Sequence, residues 1–87
     1  MWIKSQPING QTHVFNSDFI QYLWTTSTNQ LETSVMAHLK ANDDVELGRY
    51  PNTQMDNILH KVMIAFAHSN NTFTMPNRVI EKEVEDV

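Results

Sequence analysis

The sequence predicts an α+β fold, in which an antiparallel meander sheet of four or five strands carries one long C-terminal helix packed on one face. Two observations lead to this class. Apolar residues recur at helical spacing over residues 53–68, and shorter runs rich in aromatic and β-branched residues precede them, separated by polar turn residues. With 87 residues, the chain is long enough for one domain with a modest core.

Extended runs and turns alternate through the first half of the chain. Strands are predicted at residues 1–5, 19–27, 31–40 and 45–50, and a short extended segment at 11–15 is expected to pair back on the first. The run at 31–40 alternates most cleanly between apolar and polar positions. One side of that run carries Leu31, Thr33, Val35, Ala37 and Leu39.

Two of these runs contain an irregularity. The run at 19–27 is apolar on both sides, and a bulge near Gln21 would change which residues face the core. Without a bulge, one side carries Ile20, Tyr22 and Trp24, and the other carries Phe19 and Leu23. Gly48 lies inside the run at 45–50, which indicates either a bulge or a close approach of the helix.

The helix is predicted over Thr53–His68, with Thr53 as its N-cap and Asp56 in its first turn, where a negative charge is favourable. Its apolar stripe consists of Met55, Ile58, Leu59, Val62, Met63 and Phe66. We expect this stripe to face the core. Thr72–Met75 follows as a short extended or edge segment, with Phe73 and Met75 pointing inward.

The chain is predicted to consist of a domain and an acidic tail. Residues 1–76 are predicted to form a single α+β domain, and residues 77–87 to form an acidic C-terminal tail that is frayed or disordered. The net charge of the chain is −4 at pH 7. Such an acidic protein has no overall electrostatic attraction to the phosphates of a nucleic acid.

The composition also limits the cellular setting. There is no cysteine, which excludes disulfides and thiol chemistry. The first residues show no basic segment followed by an apolar run, and no segment approaches the roughly 18 apolar residues of a membrane span. We therefore expect a cytoplasmic protein that does not contact membranes.

No catalytic, cofactor-binding or metal-binding residues are predicted, so we expect a protein that is not an enzyme and has no cofactor. His60 and Asp56 share a helix face but lack a visible third ligand. Asp43, Asp44 and Glu46 lack the spacing of a calcium loop. A deep pocket lined by His38 or His60 together with a carboxylate would favour an enzyme instead.

The open face of the predicted sheet is the candidate interaction surface. Its proposed residues are Trp2, Tyr22, Trp24 and Met36. Apolar side chains on an open face need a cover, and a second copy of the chain is the simplest one, so a homodimer is expected. The alternative is single-stranded nucleic-acid binding through the same face. In that case Tyr22 and Trp24 would stack on bases, and Lys40 and Arg49 would contact phosphates.

Four short motifs, in this order and spacing, resemble a group of short proteins from low-GC Gram-positive bacteria and their phages. The motifs are Met1-Trp2-Ile3, Asn16-Ser17-Asp18, Leu47-Gly48-Arg49-Tyr50 and Phe73-Thr74-Met75-Pro76. The resemblance covers about residues 1–76, and a longer polar segment around Gln6–Thr12 departs from it. It implies a phage or prophage origin and carries over no activity. The sequence therefore predicts a small non-enzymatic interaction module of prophage type, with a host or phage protein as its partner.

Overall fold

The structure, a computed structural model, describes residues 1–7, 10–68 and 71–77. Over these ranges the chain has an α+β fold. The strands are β1 (Trp2–Lys4), β2 (Val14–Asn16), β3 (Ile20–Ser27), β4 (Glu32–Leu39), β5 (Asp44–Pro51) and β6 (Thr72–Thr74), and the helix is α1 (Met55–Ala67). Apart from Asn77, the predicted tail at 77–87 lies outside the described residues.

The strands form two three-stranded sheets. β3, β4 and β5 make an antiparallel meander in that order, which confirms the predicted arrangement for these three strands. The second sheet has β1 at its centre, antiparallel to β2 and parallel to β6. The predicted single sheet of four or five strands therefore splits in two, and the short extended segment expected at Thr72–Met75 after the helix forms β6, an edge strand of the second sheet.

The path of the chain through the helix explains the second sheet. α1 returns the chain to the start of β1, where the Trp2 backbone nitrogen donates to the Asn71 oxygen at 2.8 Å. β6 then runs alongside β1, and at its far end the Met75 nitrogen donates to the Lys4 oxygen at 2.9 Å. A three-residue strand forms few hydrogen bonds with any one neighbouring strand, so β1 depends on a partner on each side.

The core lies between the two sheets and the helix. Its fully buried residues are Ile3, Val35, Ala37, Leu47, Tyr50, Ile58, Val62 and Met75. The prediction that Met75 points inward is confirmed, and Phe73 is partly buried against the same cluster. Because β1, β4, β5 and α1 all contribute buried residues to this cluster, the core holds both sheets together.

The buried side of α1 differs from the predicted stripe at its C-terminal end. Ile58 and Val62 are buried as expected, but Met63 is 69% exposed and Ala65 is buried instead. At about 100° per residue, Ile58, Val62 and Ala65 share one narrow side of the helix, and Met63 lies roughly 140° away from Ile58. Phe66, also assigned to the stripe, is 37% exposed.

The start of α1 is also different from the prediction. Thr53 lies in a 3₁₀ turn (Asn52–Gln54), and the residue before the helix is Gln54, whose side chain makes no capping hydrogen bond. The reason is Asn52, whose backbone nitrogen donates to the Leu31 oxygen at 2.8 Å and whose Nδ2 donates to the Gln30 oxygen at 3.0 Å. These bonds tie the chain to the β3–β4 turn. Leu31 lies in this turn and is 76% exposed, because β4 begins at Glu32 and not at the predicted residue 31.

Two bulges set which side chains face the core. The register of β3 shifts between Ile20 and Tyr22, at the bulge that the sequence suggests near Gln21. As a result, both Ile20 and Leu23 pack against the core. In β5, Val35 pairs with Gly48 and Met36 pairs with Glu46, so Leu47 is the extra residue. Leu47 is turned into the core, with 1% of its surface exposed.

Tyr50 and Gln6 join the two sheets. The Tyr50 hydroxyl is buried and donates to the Pro76 oxygen at 2.7 Å. The Gln6 side chain accepts from the Arg49 nitrogen at 2.7 Å and donates to the same Pro76 oxygen at 3.2 Å. Gly48 lies beneath the Tyr50 ring, where an added Cβ would stand 2.7 Å from the hydroxyl oxygen. The close neighbour of Gly48 is thus Tyr50 and not the helix.

Gly48→Ala should destabilise the protein by about 1–3 kcal/mol, because the new Cβ must displace a buried ring that its own hydrogen bond holds in place. Urea unfolding at constant m-value measures this loss. In a strand without such a contact, alanine is more stable than glycine by roughly 0.5–1 kcal/mol. A stabilised Gly48→Ala variant would therefore show that the Tyr50 ring does not restrict this position.

Candidate functional site

The outer face, defined as the side of the β3–β4–β5 sheet turned away from the core, carries three of the four predicted interaction residues. Tyr22 and Trp24 lie on β3, and Met36 lies directly opposite Trp24 on β4. Tyr22 is 51% exposed and Trp24 is 37% exposed. Regular alternation along β3 turns both aromatic side chains outward and Leu23 inward, and the bulge before Tyr22 lets Ile20 pack inward as well.

Trp2, the fourth predicted residue, lies elsewhere. It is on β1 of the second sheet, between Asn16 and Thr72 of the neighbouring strands, and it is 51% exposed. Sequence alone does not distinguish these two surfaces, because both sheets have an exposed tryptophan at a position that alternates outward.

Directly opposite residues in antiparallel strands lie on the same side of the sheet. The outer face is therefore built from rows that cross all three strands. One row is Tyr22, His38 and Asp44, and the next is Trp24, Met36 and Glu46. The third is Thr26, Ser34 and Arg49. Aromatic side chains thus lie on β3, and charged side chains lie on β5.

Asp44 is the acceptor that holds the aromatic side chains in place. Its Oδ1 accepts from His38 Nδ1 at 2.9 Å and from Trp24 Nε1 at 3.2 Å. The ring of His38 stacks on Tyr22, with 4.8 Å between the ring centroids and 16° between their planes. Trp24 and Asp44 are two strands apart, roughly 10 Å across the sheet, so the indole must lie over β4 to reach the carboxylate.

The protonation of this cluster follows from its geometry. The hydrogen bond from His38 holds the pKa of Asp44 below its ordinary value, the bond from Trp24 adds to this, and partial desolvation opposes it. Since an ionised carboxylate can only accept, the Nδ1 atom of His38 must carry the proton. The ring orientation of His38 is therefore fixed from both sides, by Asp44 at its edge and by Tyr22 on its face.

A second hydrogen-bonded group lies beside the first. Ser34 is 4% exposed, and its hydroxyl donates to Glu46 at 2.6 Å. Because the Ser34 hydrogen is used there, the Thr28 hydroxyl is the donor in its 2.7 Å contact with Ser34. Arg49 binds both oxygens of Glu46, through Nε at 3.1 Å and Nη2 at 3.3 Å. Arg49, one of the two cations predicted to contact phosphates, is thus already paired with a carboxylate.

These partners change the character of the outer face. The sequence predicts exposed apolar side chains that need a cover, whereas in the structure Trp24 and His38 are hydrogen-bonded to Asp44 and the Tyr22 ring stacks on His38. β5 begins at Asp44, one residue before the predicted strand at 45–50. The alternation of Asp44 and Glu46 with Val45 and Leu47 is the sequence signal that would have placed both carboxylates on the outer face.

A cleft lies at one end of the same sheet. It has a volume of about 480 Å³, and its walls are the β3–β4 turn (residues 29–32) and the segment that leaves β5 (residues 51–53). This volume is within the range of small-molecule sites. His38 and Asp44 do not line this cleft, so the histidine–carboxylate pair and the cleft do not form one site.

Within residues 1–7, 10–68 and 71–77, no group of three or more His, Asp or Glu side chains is arranged to hold a metal ion. Within the same ranges, no helix is long and apolar enough to cross a membrane.

Comparisons of this chain with protein-family models, with curated proteins and with solved structures gave no match. The function therefore has to be argued from the geometry of the outer face, and the resemblance to phage proteins stays a prediction.

Acid should release Trp24 from Asp44. The pKa of Asp44 lies below its ordinary value of 3.8, so its hydrogen bonds are complete above that pH and are lost as the pH falls through the lowered value. In a Trp2→Phe variant, Trp24 is the one remaining tryptophan, and its emission should change reversibly over this range. Adding Asp44→Asn should abolish the change. Circular dichroism at each pH checks that the fold persists, and an unaltered transition in the Asp44→Asn variant would contradict the assignment.

Proposed function

We propose that this protein is a small non-enzymatic interaction module that binds a protein partner through the outer face. The observation that carries this proposal is that Asp44 and His38 hold two exposed aromatic side chains, Trp24 and Tyr22, in fixed positions. Aromatic residues are enriched at the centres of protein interfaces. Side chains that are already ordered lose little entropy on binding, which favours affinity.

The charges on the outer face favour a basic partner. The Asp44 side chain is 43% exposed beside the aromatic rings, and the whole chain has a net charge of −4. An arginine or lysine of a partner would find aromatic rings for a cation–π contact and a carboxylate for a charged hydrogen bond at one place. In this proposal the partner is a host or phage protein with a basic segment, and the protein acts in the cytoplasm.

Single-stranded nucleic-acid binding through the same face is the second candidate. Its support is the placement of Tyr22 and Trp24 on one surface, where bases could stack on both. Against it, the face carries Asp44 and Glu46, and Glu46 engages Arg49. A phosphate backbone lying along this face would meet carboxylates, so a basic peptide is the better match in charge.

A random peptide display library tests the proposal. Peptides selected on the wild-type protein should be rich in arginine and lysine, and synthetic copies should bind with an affinity that falls as salt rises. Trp24→Ala should weaken this binding by about tenfold to thirtyfold, the effect of losing an aromatic residue at an interface centre. Trp2→Ala is the matched control, because it removes an exposed indole from the other sheet. Isothermal titration calorimetry measures the affinity of the selected peptides for the wild type and for both variants.

Two outcomes would count against the proposal. If Trp24→Ala and Trp2→Ala bind the selected peptides as well as the wild type does, the outer face is not the binding surface. If a mixed single-stranded oligonucleotide binds at low salt and is released at high salt, and Trp24→Ala removes that binding, the outer face binds nucleic acid instead.

A further inference from the structure

β3 forms an edge of its sheet that lacks the usual protection. Among the described residues it pairs with β4 alone, and its sequence, IQYLWTTS, contains no charged residue and no proline. Natural edge strands are commonly protected by lysine, proline or a bulge, since their open N–H and C=O groups would otherwise pair with another chain. The bulge in β3 lies at its start, between Ile20 and Tyr22, and the register from Tyr22 to Ser27 is regular.

We propose that β3 pairs antiparallel with β3 of a second copy of this chain, so that two three-stranded sheets join into one six-stranded sheet. This inference extends the proposed function, on which it rests for the role of the outer face, and it replaces the face-to-face dimer expected from the sequence. A two-fold axis perpendicular to the sheet relates the two copies, so their outer faces lie on the same side.

Charge favours the edge over the face. In a face-to-face dimer, the Asp44 and Glu46 side chains of the two copies would be enclosed in one interface with like charges nearby. In the edge-to-edge dimer, these residues lie on β5, two strands from the shared edge. At the usual strand spacing the two β5 strands are roughly 24 Å apart, well beyond a Debye length of about 8–10 Å.

The β3 edge is compatible with pairing to a second copy of itself along its length and at both ends. Because β3 has no charged residue, every antiparallel register of Tyr22–Ser27 places only uncharged side chains opposite one another. Phe19, which precedes β3, is 64% exposed, and Leu31, in the turn that follows it, is 76% exposed. Antiparallel pairing brings the start of one strand beside the end of the other, so each Phe19 would lie near the partner's turn.

The same pairing would enlarge the outer face. With the axis near Trp24, the Tyr22 and Trp24 side chains of both copies form one continuous surface across the centre of the six strands. A second copy therefore does more than cover the edge, since it doubles the aromatic surface offered to a partner.

Sedimentation equilibrium from about 1 μM to about 1 mM tests the pairing. The wild-type mass should rise from 10.1 kDa to twice that value as concentration increases. The double variant Thr25→Lys with Thr26→Lys should raise the dimer Kd at least tenfold, because lysines on an edge strand oppose pairing. The control, Asn57→Lys with Ala67→Lys, adds the same charge to exposed positions of α1 and should leave the Kd unchanged.

Amide hydrogen exchange gives a second readout on the wild-type protein and so does not depend on a variant folding. Between Tyr22 and Ser27, amides that point away from β4 should be protected at high concentration and should exchange rapidly on dilution. A wild type that stays monomeric up to about 1 mM, or edge amides that exchange rapidly at every concentration, would overturn the proposal. A dimer broken by the helix control and not by the edge variant would place the interface on α1 instead.

Failure of this inference is distinguishable from failure of the proposed function. A monomer that still binds the selected basic peptides in a Trp24-dependent manner would refute the edge dimer alone. A dimer with protected edge amides that ignores those peptides would refute the peptide-binding role alone.

Discussion

The buried hydroxyl of Tyr50 is the contact on which the arrangement of the two sheets depends. It donates to the Pro76 oxygen from inside the core, and burial raises the pKa of Tyr50, so the phenol remains a protonated donor. The backbone beneath its ring can approach closely only because residue 48 is glycine. A domain of this size buries a limited apolar surface, and a satisfied polar contact within that small core fixes one relative position of the sheets where apolar packing alone would tolerate several.

Sequence patterns locate the helix and strands of this protein better than they predict which strands pair with one another. The alternation in residues 31–40 and the helical spacing after Pro51 lead to β4 and α1, because each pattern reflects the local period of its own element. The parallel pairing of β1 with β6 has no such signal, since it joins residues at opposite ends of the described chain. At the candidate site, the sequence places Tyr22, Trp24 and Met36 on one face, but it does not give Asp44 as the hydrogen-bond partner of Trp24. That contact depends on the register of the β4–β5 turn, in which Asn42 adopts a left-handed backbone with φ of 70°.

On the outer face, the exposed aromatic side chains have neighbours within their own sheet. The polar atoms of Trp24 and His38 meet Asp44, and the Tyr22 ring stacks on His38. Each ring therefore has a fixed neighbour and much of its apolar surface lies on the sheet, which lowers the cost of leaving its remaining area in solvent. The hydrogen bonds from His38 and Trp24 also favour the ionised form of Asp44. The contacts that order the aromatic side chains therefore also favour a negative charge beside them. Among the described residues, β3 pairs with β4 alone, so one edge of this sheet offers unpaired backbone groups while the aromatic side chains of its outer face already have neighbours.

The pairing of β1 with β6 has a consequence for how the chain is made. Ile3 is buried in the core together with Met75, and Gln6 contacts Pro76 across 70 residues of sequence. The β3–β4–β5 meander needs only short loop closures and can form early, whereas the pairing of β1 with β6 must wait until β3, β4, β5 and α1 have been synthesised. Until then, β1 can pair with β2 alone. The last described strand therefore completes the core that the first one begins.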